Sequence, residues 1–152
     1  MSQQPQIYVA FYKARGNWAD RLIRLITRAK YTHCELAITD PFTESRHVYL
    51  CFSASIRDGG ARIKRMPLKP NHWDFVAVDS VNEPLNTEII RKRFERTRGA
   101  RYDYLGVFRF LLPMLVRQAP DKWFCSELCA MLLDIPKPHQ YTPQDLYNTL
   151  KG

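Results

Sequence analysis

The sequence predicts an α+β fold in which an antiparallel sheet is packed against helices. Short runs rich in β-branched and aromatic residues, separated by turn residues, recur between residues 7 and 78. Segments with apolar residues at helical spacing and recognisable start or stop residues follow from residue 87 onward. Because most strands precede most helices instead of alternating with them, the order favours α+β over a parallel α/β arrangement.

Five strands are predicted, at residues 7–12, 33–39, 48–53, 61–64 and 73–78. The Asp58-Gly59-Gly60 turn joins the third strand to the fourth. The second strand alternates, so that one face carries the polar residues His33, Glu35 and Thr39 and the other carries Cys34, Leu36 and Ile38. These polar residues indicate that the first face lines a cleft instead of packing in the hydrophobic core.

Five helices are predicted. The first follows the N-cap Asn17, and the others cover residues 87–98, 104–112, 124–133 and 143–150. Gly99 ends the second helix, Asp103 and Pro113 bound the third, and Thr142 with Pro143 begins the last.

The 152 residues are enough for one domain, so we expect a single domain with residues 1–6 flexible. No apolar run reaches the roughly 20 residues of a membrane span, since Arg109 and Pro113 interrupt residues 105–116. The first residues lack the pattern of a secretory signal, which predicts a cytoplasmic protein. The four cysteines are therefore expected to be free thiols.

The chain is basic, with 23 Lys and Arg against 15 Asp and Glu, a net charge of +8. Such an excess favours anionic partners through long-range attraction. Nucleic acid, acidic lipid and anionic cell-wall polymer all fit, and charge does not choose among them.

Cys125 is the first candidate for chemistry, because it stands at the start of the helix at residues 124–133. Unpaired backbone N–H groups and the helix dipole stabilise a thiolate there, and the same groups can bind an oxyanion. A buried structural cysteine is the alternative. A Cys-x-x-x-Cys zinc site with Cys129 is a weaker one, since no further ligands show tight spacing. We expect no metal and no cofactor.

His33 is the candidate base, because a strand holds its ring firmly and its polar face suggests a cleft. The alternative is a hydrogen-bonded histidine at a sheet edge. His47, His72 and His139 lie in loops and are expected to be exposed.

Four segments together resemble the circularly permuted, papain-like NlpC superfamily, especially its YiiX-like and phage-encoded branch. They are residues 31–38 (YTHCELAI), 53–62 (SASIRDGGAR), 101–106 (RYDYLG) and 123–128 (WFCSEL). In that branch the histidine strand precedes the cysteine helix, as it does here. The resemblance covers nearly the whole chain, roughly residues 7–148.

The resemblance implies a permuted papain-like core and a covalent acyl-enzyme. Cys125 matches the nucleophile, His33 the base and Tyr102 an aromatic residue lining the site. Trp123 and Ser126, which flank Cys125, are the other expected substrate contacts. Relatives carry a polar third residue on the strand after the histidine, where this chain offers Ser53 or Ser55. The imidazole is thus expected to be oriented by Ser53, by Glu35 or by a backbone carbonyl.

These observations favour a cysteine amidase or peptidase acting on an amide, peptide or ester bond, with a cell-wall peptide as leading substrate. One alternative is a lipid-directed acyl hydrolase or acyltransferase with the same dyad, whose basic residues Arg21, Arg24, Arg28 and Lys30 meet a membrane surface. Another is a non-catalytic basic protein that binds nucleic acid or a host factor. If phage-encoded, the protein is expected in the virion or the host cell.

Overall fold

The computed structural model describes residues 5–14, 16, 21, 24–25, 28–55, 58–78, 85–97, 101–102 and 122–152, with the backbone alone at 101, 102 and 122. Within these residues the fold is α+β. It has one seven-stranded sheet, three α-helices and two short 3-10 helices.

The sheet has the strand order β5-β1-β2-β3-β4-β6-β7. The five longer strands pair antiparallel, and β6 and β7 form a short parallel pair at one edge. The strands are β1 (Ile7–Tyr12), β2 (His33–Thr39), β3 (Val48–Ser55), β4 (Gly60–Pro67), β5 (Trp73–Ala77), β6 (Arg101–Tyr102) and β7 (Lys122–Trp123).

All five predicted strands are confirmed. The fourth is longer than predicted, because it remains paired with β3 along its whole length despite its basic, half-exposed residues. The sequence did not predict β6 and β7, since two-residue strands are too short to show alternation.

The helices are α1 (Thr87–Phe94), α2 (Cys125–Leu132) and α3 (Pro143–Lys151). The Asn86 side chain accepts the Ile89 N–H at the start of α1, and the Thr142 side chain accepts the Asp145 N–H at the start of α3. Beyond Phe94 the predicted helix tightens into the 3-10 turn Glu95–Thr97. The helix predicted at 104–112 lies outside the described residues. Most of the helix predicted after Asn17 also lies outside the described residues. Of its residues that are described, Arg21, Arg24 and Leu25 are helical.

The main core lies between the helices and one face of the sheet. Leu36 and Phe52 from the strands pack there with Ile90, Leu128 and Leu146 from the three helices. A second apolar cluster, which includes Ala37, Cys51 and Trp73, lies on the opposite face. None of the helices within the described ranges combines the length and hydropathy that crossing a bilayer requires.

Strands β2 and β3 separate at one end, and this opening positions the site. Their register runs from Thr39↔Tyr49 to Leu36↔Phe52, although β2 starts earlier, at His33, and β3 continues to Ser55. The backbone of Cys34 therefore faces β3 without a main-chain partner on that strand. Side chains satisfy it instead.

Candidate active site

Cys125 is the first residue of α2 and lies against the end of β2. Phe124, the N-cap, has extended backbone, and its N–H donates to Glu127 Oε2 at 3.1 Å. The buried Glu127 carboxylate thus stabilises the first turn, as expected for an acidic residue at this end of the dipole. The chain enters the helix in one defined direction, which fixes the position of the Cys125 side chain.

The Cys125 sulfur contacts polar groups from β2, although its residue is fully buried. The His33 imidazole and the thiol and backbone N–H of Cys34 lie near enough to lower its pKa, while the Cys34 thiol donates to Cys129 Sγ at 3.8 Å. This N–H is one of the groups left unpaired where β2 and β3 separate. Cys125 also belongs to the main hydrophobic core, so its sulfur is closed to bulk water, and the polar neighbours that favour its ionisation are those on β2.

His33 connects the buried sulfur to the surface. Its Nε2 lies 2.6 Å from Glu35 Oε1, so Nδ1 is the ring nitrogen left to face Cys125. The ring packs edge-on against Trp73 with 6.1 Å between centroids. About a quarter of the side chain, 23%, is exposed, which makes His33 the accessible member of the pair. The other three histidines are exposed, as predicted.

Glu35 is fully buried and is shared between two cations. Besides the contact with His33, Oε2 accepts a hydrogen bond from Arg62 Nη1 at 2.6 Å, and Oε1 accepts one from Arg62 Nη2. The Arg62 Nε in turn donates to Asp58 Oδ2 at 2.8 Å. The site therefore extends from Cys125 through His33 and Glu35 to Arg62.

Sequence reasoning did not assign a role to Arg62. Two signals were present: the Asp58-Gly59-Gly60 hairpin pairs Ser53 with Arg62, and a carboxylate on a buried strand needs a cation. Combining them requires the β2–β3 register, which the sequence does not give.

The shifts in pKa describe a thiolate and an imidazolium. Burial opposes ionisation of Cys125, but the Cys34 hydrogen bond and the charge of His33 outweigh it and lower the pKa of Cys125 to about 5. Burial also opposes the charge on His33, yet Cys125 and Glu35 raise its pKa to about 10. Between these two values the proton resides on the ring.

Glu35 stays ionised despite its burial. Desolvation alone would raise its pKa, whereas the hydrogen bond from Arg62 and the charge of His33 lower it below the usual value.

Ser53, the other residue predicted to orient the ring, is hydrogen-bonded to the backbone. Its hydroxyl donates to the Cys34 carbonyl at 2.6 Å and so satisfies the second backbone group left unpaired beside β3. The residue that contacts the ring is Glu35. Ser53 supports the strand on which His33 stands.

The three predicted substrate contacts differ in position. Ser126 is fully buried, and its hydroxyl donates to the Tyr141 carbonyl, which ties α2 to the segment before α3. Trp123 is half-buried against the main core. The Tyr102 side chain lies outside the described residues, while its backbone in β6 pairs with Trp123.

All four cysteines are free thiols, as predicted. The Cys34 and Cys129 sulfurs lie 3.8 Å apart beside Cys125, and burial raises the pKa of Cys34, which stays protonated and can donate to the thiolate. In the part of the chain that the structure describes, no three His, Cys, Asp or Glu side chains are grouped to hold a metal ion.

Comparisons with protein-family models, with curated proteins and with solved structures found no match to this chain.

Proposed function

We propose that this protein is a cysteine hydrolase in which Cys125 is the nucleophile, His33 the acid-base group and Glu35 the residue that orients the imidazole. One observation carries the proposal: a thiol at a helix start contacts an imidazole whose far nitrogen is held by a buried carboxylate. A structural cysteine needs no such partner, whereas a nucleophile does. The resemblance to the permuted papain-like superfamily also implies Cys125 as the nucleophile and His33 as the base.

The reaction proceeds in two steps. The Cys125 thiolate attacks the substrate carbonyl carbon, and N–H groups at the start of α2 stabilise the oxyanion. His33 gives its proton to the leaving amine or alcohol as the C–N or C–O bond breaks, which leaves an acyl-enzyme. His33 then takes a proton from water, the hydroxide attacks the thioester, and the acid leaves as the thiolate is restored.

The substrate is a compound with an amide, peptide or ester carbonyl, and a cell-wall peptide is the leading candidate because of the superfamily resemblance. The positive charge of the chain is compatible with an anionic cell-wall polymer. The substrate approaches from the His33 side, since Cys125 itself has no exposed surface.

One observation favours the lipid-directed variant of the same chemistry. Leu25 is 77% exposed, and the exposed residues Arg21 and Arg28 lie near it in sequence. An exposed apolar side chain flanked by cations suits an anionic membrane surface. A long-chain acyl ester presented in anionic vesicles, assayed beside purified peptidoglycan, distinguishes the two substrates.

The burial of Cys125 favours the non-catalytic alternative, and thiol labelling tests it. Iodoacetamide at pH 7, with the labelled residue located by mass spectrometry, should modify Cys125 faster than Cys51. Burial raises the pKa of Cys51, so it serves as the internal reference. In His33→Ala the preference for Cys125 should be lost. Labelling of Cys125 no faster than that of Cys51 in the wild-type protein would contradict the proposal.

Turnover is tested separately with p-nitrophenyl acetate and purified peptidoglycan. A burst of p-nitrophenol together with an acetyl group on Cys125, both absent in Cys125→Ser, supports the acyl-enzyme. Labelling without any acylation would leave a reactive thiol but remove the hydrolase assignment.

A further inference from the structure

We propose that Arg62 is a positioning residue of this site: its guanidinium clamps both oxygens of Glu35 and thereby keeps that carboxylate charged and aimed at His33. The effect on hydrolysis rests on the proposed function, whereas the effect on the thiol and imidazole does not.

The contacts on Glu35 assign this role. Each carboxylate oxygen accepts a hydrogen bond from a different terminal nitrogen of Arg62, and Oε1 also faces His33 Nε2. A two-point arginine contact fixes the plane of a carboxylate as well as its position. The Glu35 side chain is fully buried, so its ionised form depends on these contacts and not on bulk water.

Arg62 is itself held in place. Its Nε donates to Asp58, which also lies 3.7 Å from Lys64 Nζ, and only 14% of the Arg62 side chain is exposed. Its position on β4 opposite Ser53 comes from the hairpin register. A surface arginine that merely solubilises the chain would have neither of these restraints.

Charge balance gives the physical reason for the clamp. The groups facing Glu35 are His33 from the same strand, Arg62 from β4 and the Cys51 thiol from β3, with Cys125 of α2 beyond the ring. Thiolate, imidazolium, carboxylate and guanidinium alternate in sign and sum to zero. Without Arg62, a buried thiolate and a buried carboxylate would share a single imidazolium, which favours uptake of a proton.

The expected consequence is a shift in pH dependence. In Arg62→Met, Glu35 should take up a proton at a higher pH than in the wild-type protein, and the imidazolium then loses its charged partner. Because the His33 ring lies against Glu35, its proton NMR signal reports when that carboxylate takes up a proton. This step in the pH profile should lie about one pH unit or more higher in Arg62→Met than in the wild-type protein. Arg62→Lys, which restores the charge but not the fork, should recover part of the shift.

Two controls isolate the role. Arg65→Met removes an exposed arginine from the same strand, one that pairs with Asp40 instead of the site, and should leave the profile unchanged. In a Glu35→Gln background, adding Arg62→Met should produce no further shift, because Arg62 acts through Glu35. This double variant has no uncompensated buried charge, so it remains informative if Arg62→Met alone does not fold.

A profile of Arg62→Met that matches the wild-type protein would overturn the proposal, as would an equal shift in the Glu35→Gln background. The NMR titration needs no turnover, so the two proposals can fail independently. If p-nitrophenyl acetate is not hydrolysed but the Glu35 protonation step shifts, the hydrolase assignment fails and Arg62 keeps its role.

Discussion

His33 Nε2 lies 2.6 Å from Glu35 Oε1, although the two residues are separated by about 7 Å along a single strand. Both side chains lie on the same face of β2, and the length of the glutamate side chain is enough to span the gap between them. Arg62 approaches from the neighbouring hairpin and holds the carboxylate in that direction. The contact with the ring nitrogen is thus made by a carboxylate from the histidine's own strand.

Glu35→Gln should lower the pKa of His33 from about 10 by at least one unit, because it removes a charge and a charge-assisted hydrogen bond. Titration of the His33 ring by proton NMR measures the change. Glu44→Gln, which removes an equal charge from an exposed loop, is the matched control and should leave the His33 titration unaltered.

His33→Ala should raise the pKa of Cys125 from about 5 toward or above the ordinary thiol value of 9.0, since the imidazolium is lost while the burial remains. The thiolate fraction at pH 7 then falls to about 1%, a loss of roughly 100-fold in alkylation rate. Thiolate absorbance in the ultraviolet, followed against pH, reports the pKa directly. An unchanged titration would mean that the ring does not stabilise the thiolate.

Cys34→Ala should also raise the pKa of Cys125, because the neighbouring Cys34 thiol is one of the groups that lower it. The backbone N–H of Cys34 remains, so the effect should be smaller than that of His33→Ala. Cys51→Ala is the comparison: Cys51 lies in the cluster on the opposite face and should not alter the Cys125 titration.

Ser53→Ala should lower the free energy of unfolding by about 1–3 kcal/mol, because the Cys34 carbonyl loses its hydrogen-bond donor in a buried place. Urea denaturation measures the change. Ser55→Ala, at the half-buried end of the same strand, should cost less. If Ser53 instead oriented the ring, its removal would shift the His33 titration without a comparable loss of stability.

The contribution of Cys125 and His33 to the free energy of unfolding should be constant over a range of pH and should fall outside it. The raised pKa of His33 contributes stability that is complete below pH 6.5 and lost as pH rises through about 10. The lowered pKa of Cys125 contributes stability that is complete above pH 9.0 and lost as pH falls through about 5. Between pH 6.5 and 9.0 the two dependences cancel, because folding only moves a proton from sulfur to ring.

Urea denaturation at a series of pH values tests this pH dependence. Subtracting the profile of the double variant Cys125→Ala/His33→Ala isolates the dyad from the other titrating groups. The difference should be flat between pH 6.5 and 9.0 and should decline on both sides. A difference that slopes steadily across neutral pH would indicate that only one of the two groups changes charge on folding.

The sequence predicted those parts of the fold and site that depend on neighbouring residues. The alternation of residues 33–39 and the N-terminal position of Cys125 both follow from local spacing, and β2 and α2 are formed there. Arg62 was not assigned, because its contact with Glu35 depends on two strand registers at once. The short strands β6 and β7 were missed because they are held by pairing with neighbours instead of by their own pattern.

At the opening between β2 and β3, the sulfur of Cys125 lies where a main-chain acceptor on β3 would otherwise face the Cys34 N–H. If the ladder were extended by one more hydrogen-bonded pair, Cys34 would face Ala54, and its N–H and carbonyl would find main-chain partners. The sulfur of Cys125 would then be displaced from the position in which it is ionised. A compound or substitution that makes β2 and β3 pair along this end should therefore lower the reactivity of Cys125 without contacting it. The same change should extend the hydrogen bonding of the sheet.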